Sequence, residues 1–259
     1  MLDSLEQALL EAVRTGGALI RSKTGSRMTV QYKRSWSDLV TEVDTAVEQA
    51  VKQRILARFP DHGFVGEEGG GGYDREYTWV LDPLDGTTNF AHTLQNFVCS
   101  LACYRGQEAL VAAIYDPMRD ELFTARRGGG AFLNGAPIQV DPATTLQESL
   151  VATNLMWDLR EGRAHLLPGI QALGRQVRGI RSLGSAALEM CYVACGRLSA
   201  YLQYSLQPWD FAAGALIVAE AGGKVTTMDG SPLDITRKST VITSNGHIHD
   251  EVLQYLQVQ

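Results

Sequence analysis

Two carboxylates three residues apart, Asp82 and Asp85, stand in Trp79-Val80-Leu81-Asp82-Pro83-Leu84-Asp85-Gly86-Thr87-Thr88-Asn89-Phe90, where an apolar run meets a glycine-threonine turn. Pro83 fixes the backbone between them, so both can face one hard cation through oxygen, with the Leu84 carbonyl as a further donor. Gly86-Thr87-Thr88 is expected to open a helix, whose unpaired N–H groups offer a site for phosphate oxygens. The same residues also read as plain punctuation: Asp82 ends a strand, Asp85 caps a helix, and Asp-Gly makes a turn. An EF-hand is excluded by spacing, because alternating acidic positions with a distal glutamate are missing.

Three other segments place a carboxylate at the end of an element. Asp44 begins a helix in which Val43, Val47, Val51, Ile55 and Phe59 recur every fourth residue, and Thr41 with Asp44 reads as a capping box. Glu67 lies in Phe64-Val65-Gly66-Glu67-Glu68-Gly69-Gly70, where flanking glycines suit a backbone that brings Glu67 close to a ligand. Asp210 precedes the apolar run Phe211 to Ala219, which Gly222-Gly223 ends; it reads equally as a helix cap or as a metal ligand.

These segments together, Asp38-Leu39-Val40-Thr41, Gly66-Glu67-Glu68, Asp82 to Phe90, Trp209-Asp210-Phe211-Ala212-Ala213-Gly214 and Glu220-Ala221-Gly222-Gly223, closely resemble the inositol monophosphatase family over nearly the whole chain. That family comprises Mg²⁺-dependent, lithium-sensitive phosphatases. The resemblance implies a layered αβαβα sandwich of mixed α+β and α/β character, of the sugar phosphatase type, and a cytoplasmic homodimer. It implies Mg²⁺ ions, two or three of them with Mn²⁺ as a substitute, held by Glu67, Asp82, the Leu84 carbonyl, Asp85 and Asp210. Asp44 and Thr87 would handle the attacking water, and Lys33 would lie near the metal water network. The N–H groups of Gly86 and Thr87, beside Thr88, would take the phosphate. Ser185 and Ala186, after Gly184, would face the sugar or inositol ring, with Asp210 near a ring hydroxyl. One position departs from the pattern: Gln203 stands where the family carries a glutamate for inositol hydroxyls, so the acceptor is kept and its charge lost.

The chemistry of phosphate monoesters calls for such a site. Their anionic oxygens repel a nucleophile and their alkoxide is a poor leaving group, so positive charge is needed at both ends of the displacement. Carboxylates and a carbonyl are hard ligands that suit Mg²⁺ or Mn²⁺ and suit zinc poorly. Attack by activated water requires no covalent phosphoenzyme. The expected substrate is a small inositol or sugar phosphate, with inositol-1-phosphate leading. The same metal site would serve fructose 1,6-bisphosphate, NADP, a nucleotide 3′-phosphate or histidinol phosphate. From a different class, an additional protein-binding role with the transcription machinery stays open.

Composition agrees. The chain has 259 residues, a net charge of −6 and a pI near 5.4, so no basic footprint for nucleic acid exists. Its start lacks signal-peptide character, and Phe211 to Ala219 is too short to cross a membrane. Cys99 with Cys103 and Cys191 with Cys195 share one spacing, but both pairs lie in apolar segments and read as reduced core thiols instead of zinc ligands. His92, His247 and His249 read as surface or loop residues.

Helices are expected near Ser4 to Lys23 and Thr41 to Phe59, then strands Tyr77 to Leu81, Phe97 to Cys103, Leu110 to Tyr115, Glu121 to Ala125 and Gly130 to Leu133 in an antiparallel sheet. Asn134-Gly135 predicts a hairpin returning through Pro137 to Val140. Strands Ser149 to Thr153, Val177 to Ser182 and Leu198 to Leu202 then alternate with helices near Leu159 to Leu173, Ser185 to Gly196 and after Asp210. A boundary near 142 divides residues 1–142, a metal- and phosphate-binding half, from 143–259, a half contributing substrate specificity and Asp210. Gly69 to Gly72 reads as a mobile loop.

Overall fold

Apolar residues at helical spacing bury one face of helix α1 (Leu2–Lys23) through Leu5, Leu9, Val13 and Ile20, and one face of α2 (Glu42–Arg58) through Val43, Val47, Val51 and Ile55. The two helices pack together as the first layer of a computed structural model that describes residues 1–25, 30–32, 39–154 and 167–257. A short ribbon, β1 (Val30–Tyr32) with β2 (Leu39–Thr41), leads into α2.

The second layer is a seven-stranded sheet of β3 (Gly63–Gly66), β4 (Tyr77–Asp85), β5 (Val98–Arg105), β6 (Glu108–Asp116), β7 (Glu121–Arg126), β8 (Gly130–Leu133) and β9 (Ala136–Pro137), joined in chain order. One face meets α1 and α2 through Trp79, Leu81, Leu101 and Val111. The other meets the third layer, α5 (Ala186–Ala194) and α6 (Pro208–Glu220). Those helices also cover a five-stranded sheet, ordered β11 (Gly179–Arg181), β10 (Leu150–Thr153), β12 (Ala200–Leu206), β14 (Ser239–Ser244) and β13 (Lys224–Thr226). Its outer face packs on α4 (Leu167–Gly174) and α7 (His249–Gln257) through Ile170, Leu173, Val252 and Leu253. Helices, sheet, helices, sheet, helices: this is the expected αβαβα sandwich.

Several details differ from the sequence-based expectation. The first sheet is not wholly antiparallel, because β3 runs parallel to β4 with Gly66 opposite Leu81. Asn134 and Gly135 turn the hairpin with φ of 50° and 81°, as expected of a primed turn. The return strand is only two residues long; beyond it the Ile138 N–H still reaches the Ala131 carbonyl (3.0 Å), and the Val140 N–H leaves for the Ala221 carbonyl (3.2 Å). Strand β12 extends to Leu206 and so includes Gln203. The expected helix from Leu159 begins outside the described residues, as does Lys33.

His249 also corrects the sequence reading. His92 and His247 are exposed, but His249 is fully buried at the start of α7, between Ser244 Oγ (2.8 Å from Nδ1) and Thr226 Oγ1 (2.9 Å from Nε2). Burial pushes its pKa down to about 4. The unfolded chain, with an ordinary imidazole near 6.5, therefore takes up a proton first as pH falls, so this group's contribution is intact above about 6.5 and is lost toward 4. His249→Gln is expected to flatten the decline in melting temperature over that window; an unchanged slope would show that the native imidazole is not held neutral.

Candidate active site

In a regular strand, residues three apart point to opposite faces, which would separate Asp82 from Asp85. The ladder between β4 and β5 avoids this. Asp82 pairs with Ser100 and Asp85 with Val98, so three residues on β4 span two on β5. The extra residue falls at Pro83-Leu84, where proline's missing N–H leaves no ladder bond unmade. This bulge turns both carboxylates to the face that meets α5 and α6, while Leu81 and Leu84 stay on the face covered by α1 and α2.

Each carboxylate is held by protein donors, Asp82 and Asp210 by nearby backbone and Asp85 from across the fold. Asp82 Oδ1 accepts the Leu84 N–H (3.0 Å). Asp85 Oδ2 accepts Ser185 Oγ (2.7 Å) and the Ala187 N–H (2.6 Å) at the start of α5. Ser185 is 1 % exposed and its hydroxyl is committed to the Asp85 carboxylate, where the sequence reading has it facing the sugar or inositol ring; Ala186 is buried beside it. Asp210 is the third residue of α6, and its Oδ2 accepts the Gln207 N–H (2.7 Å) in a capping box. Cap and candidate ligand are thus one residue, and the two readings of Asp210 do not compete.

Asp44 repeats the device on α2. Its Oδ2 accepts the Thr41 N–H (2.8 Å) and hydroxyl (2.6 Å), and its Oδ1 faces the Thr87 hydroxyl (2.9 Å). Thr87 Oγ1 also lies 2.9 Å from the Leu84 carbonyl. Gly86, which precedes Thr87, has φ of 98°, and a Cβ there would stand 2.6 Å from the Asn96 carbonyl, so only glycine fits. Helix α3 (Thr87–Ala91) has five residues, too few for a strong helix dipole, so an anion at its start would depend on individual N–H groups such as those of Gly86, Thr87 and Thr88.

Glu67 follows Gly66, which lies opposite Leu81, and so reaches the end of its strand beside Asp82. The electrostatics report the convergence. Burial, then the charges of Glu67, Asp85, Asp210 and Asp44, hold the Asp82 carboxyl well above the usual range. Burial, then Glu67 and Asp85, do the same to Asp210. Burial pushes Asp85 up to about 6 against the hydrogen bonds from Ser185 and Ala187, and it raises Asp44 against those from Thr41 and Thr87. Such a group of mutually repelling carboxylates fits a hard divalent cation, which would remove the repulsion. Among the described residues, no three His, Cys, Asp or Glu side chains stand at the spacing of a closed metal cage. The carboxylates are close enough to raise one another's pKa.

Gln203 is 2 % exposed, and its Oε1 accepts the Asn154 N–H (3.1 Å). Asn154 is a hub the sequence did not single out. Its Nδ2 donates to Glu189 Oε2 (2.8 Å) and its Oδ1 accepts Ser182 Oγ (2.9 Å) and the Gly184 N–H (3.2 Å). Glu189 also accepts the Leu183 N–H (2.8 Å), and burial pushes its pKa up to about 8. A carboxylate inside the apolar run Ala186-Ala187-Leu188-Glu189-Met190-Cys191 was the available signal. The four cysteines are free and buried or half-buried, as expected of core thiols. No helix among the described residues is long and apolar enough to cross a membrane.

A layered αβαβα sandwich that gathers acidic side chains beside a helix start is the architecture the comparisons also find. The sequence profile of the Inositol monophosphatase family matches residues 1–259. The inositol-1-monophosphatase of Synechocystis sp. is 41 % identical over 95 % of this chain and 86 % of its own length. The extragenic suppressor protein suhB from Bartonella henselae superposes with a TM-score of 0.91 at 34 % identity, covering 98 % of this chain and 99 % of that one. An IMPase/NADP phosphatase solved with Mg²⁺ and phosphate gives 0.89 at 27 % identity, covering 100 % and 97 %. The chain belongs to the inositol monophosphatase family.

Proposed function

We propose that this protein hydrolyses small polyol or sugar phosphate monoesters with Mg²⁺, inositol-1-phosphate among them. The observation that carries the proposal is the β4 bulge, which turns Asp82 and Asp85 together toward Asp210 beside the Thr87–Asp44 hydrogen bond. Glu67, Asp82, Asp85, Asp210 and the Leu84 carbonyl would hold the metal. When bound, Mg²⁺ supplies charge stabilisation to the phosphoryl group and lowers the pKa of water. The protein does the rest. Thr87 gives its hydroxyl proton to Asp44 and turns its lone pairs to the attacking water, orienting it in line with the phosphorus. As the water oxygen bonds to phosphorus its proton passes to Thr87 and the threonine proton to Asp44 Oδ1, while the ester P–O bond breaks and the departing alkoxide takes a proton from solvent water. The Gly86 and Thr87 N–H groups hold phosphate oxygens. The same reading includes a cytoplasmic homodimer and inhibition by lithium.

Phosphatases for fructose 1,6-bisphosphate, NADP, nucleotide 3′-phosphates or histidinol phosphate would share this machinery. The complete donor set favours catalysis over a purely protein-binding role. A substrate panel assayed with Mg²⁺ and after exhaustive chelation is the test, and undiminished hydrolysis without metal would reject the reading. Gln203→Glu in the same panel probes selectivity. A charged acceptor in the wall that holds Asn154 is expected to raise kcat/KM for inositol-1-phosphate roughly tenfold, leave an aryl phosphate nearly unchanged, and weaken bisphosphates and nucleotides. An equal shift for every substrate would show that position 203 does not read the substrate.

A further inference from the structure

Glu48 lies one turn beyond Asp44 on the same face of α2 and is 5 % exposed. Its carboxylate accepts two consecutive backbone donors, the Glu68 N–H at Oε2 (2.9 Å) and the Gly69 N–H at Oε1 (2.6 Å). The turn so gripped is closed on itself, since Gly66 and Gly70 exchange N–H to carbonyl bonds of 3.1 Å in both directions. Glu67 is the residue this closed turn projects.

The glycines around Glu67 now have a physical reason. A Cβ on Gly69 would stand 2.5 Å from Glu48 Oε1, and one on Gly66 would strike Glu48 Oε2. Neither glycine has positive φ; both are small because a carboxylate occupies the space a side chain would need. The expected mobile loop over Gly69 to Gly72 is therefore corrected at its base, where Glu48 and the Gly66–Gly70 pair fix it. A buried carboxylate bound to two backbone donors orders those donors strongly, because leaving either unpaired costs desolvation.

We propose that Glu48 is a positioning residue for the cation site: by pinning the 66–70 turn it holds Glu67 against Asp82 and Asp210, so Mg²⁺ affinity depends on a side chain that does not touch the metal. This rests on Glu67 being a ligand, and α2 then serves both halves of the chemistry, Asp44 through Thr87 and Glu48 through Glu67.

The test compares wild type, Glu48→Gln, Glu48→Ala and Glu67→Gln. Mg²⁺ binding is measured by calorimetry without substrate, amide hydrogen exchange is followed at residues 68 and 69, and activity is titrated against Mg²⁺. Glu48→Gln, which retains one acceptor, and Glu48→Ala, which retains none, are expected to weaken Mg²⁺ binding progressively, within roughly 10–100-fold. Exchange should accelerate at both amides in Glu48→Ala and at the amide left without an acceptor in Glu48→Gln, while kcat at saturating Mg²⁺ stays within about threefold for Glu48→Gln. Glu67→Gln should lose Mg²⁺ affinity without faster exchange. Faster exchange with wild-type Mg²⁺ affinity in the Glu48 variants would overturn the proposal, leaving a merely structural contact, and so would unchanged exchange. Wild-type affinity in Glu67→Gln would overturn the reading of Glu67 itself, a distinguishable failure.

Discussion

Thr87→Ala is expected to lower kcat by about 10²-fold or more while changing the fold and Mg²⁺ affinity far less, because the lost hydroxyl orients the attacking water, and its contacts with Asp44 Oδ1 and the Leu84 carbonyl leave behind acceptors only. Asp44→Asn should lose as much activity and something further. Asp44 Oδ1 faces Thr87, and Oδ2 takes both the N–H and the hydroxyl of Thr41. A carboxamide must turn its NH₂ toward one of these groups, so either the Thr87 contact or the cap of α2 is spoiled. The cap is worth about 1 kcal/mol, which for a chain of this size is roughly 2–4 °C of melting temperature. Thr87→Ala thus isolates the chemical step. The double variant should be little worse than the worse single one, since the two residues work on one water. Fully multiplicative losses would show that they act separately.

Asp82→Asn and Asp210→Asn are expected to oppose activity and stability. Each should reduce kcat by about 10³-fold or more, since several kcal/mol of charge stabilisation depends on the metal it helps to hold. Without divalent cations, each should nonetheless melt higher than wild type. The acids hold these carboxyls well above the usual range by burial and mutual repulsion, so neutralising one relieves both costs. The carboxamide oxygen can still accept the Leu84 or Gln207 N–H that the carboxylate accepts now. A rise of about 2 °C or more is expected in chelator, and added Mg²⁺ should stabilise wild type more than either variant. Variants that melt below wild type without metal would show that the carboxylates do not repel one another in the native state.

The sequence by itself determined the donors and much of the frame. Fourfold spacing in α2, the Asn134-Gly135 turn and the candidate carboxylates Asp44, Glu67, Asp82, Asp85 and Asp210 were legible as local chemistry: periodicity, turn conformation, or a carboxylate at the end of an element; the five-layer sandwich and the part given to Thr87 came from the family resemblance. What it left open was direction. Only the pairing of β4 with β5 shows that a bulge at Pro83-Leu84 brings Asp82 and Asp85 to one face, because register belongs to two strands at once. Ser185 was read as facing substrate and is turned to Asp85, a partner one hundred positions away in the chain. His249 reads in the sequence as a surface or loop residue and is buried, since its partners Ser244 and Thr226 arrive from two strands of the second sheet. Glu48 carried no motif. Its role arises from the close approach of α2 to the 66–70 turn, and a contact between backbone donors and a distant carboxylate leaves in the sequence only glycines whose reason lies elsewhere.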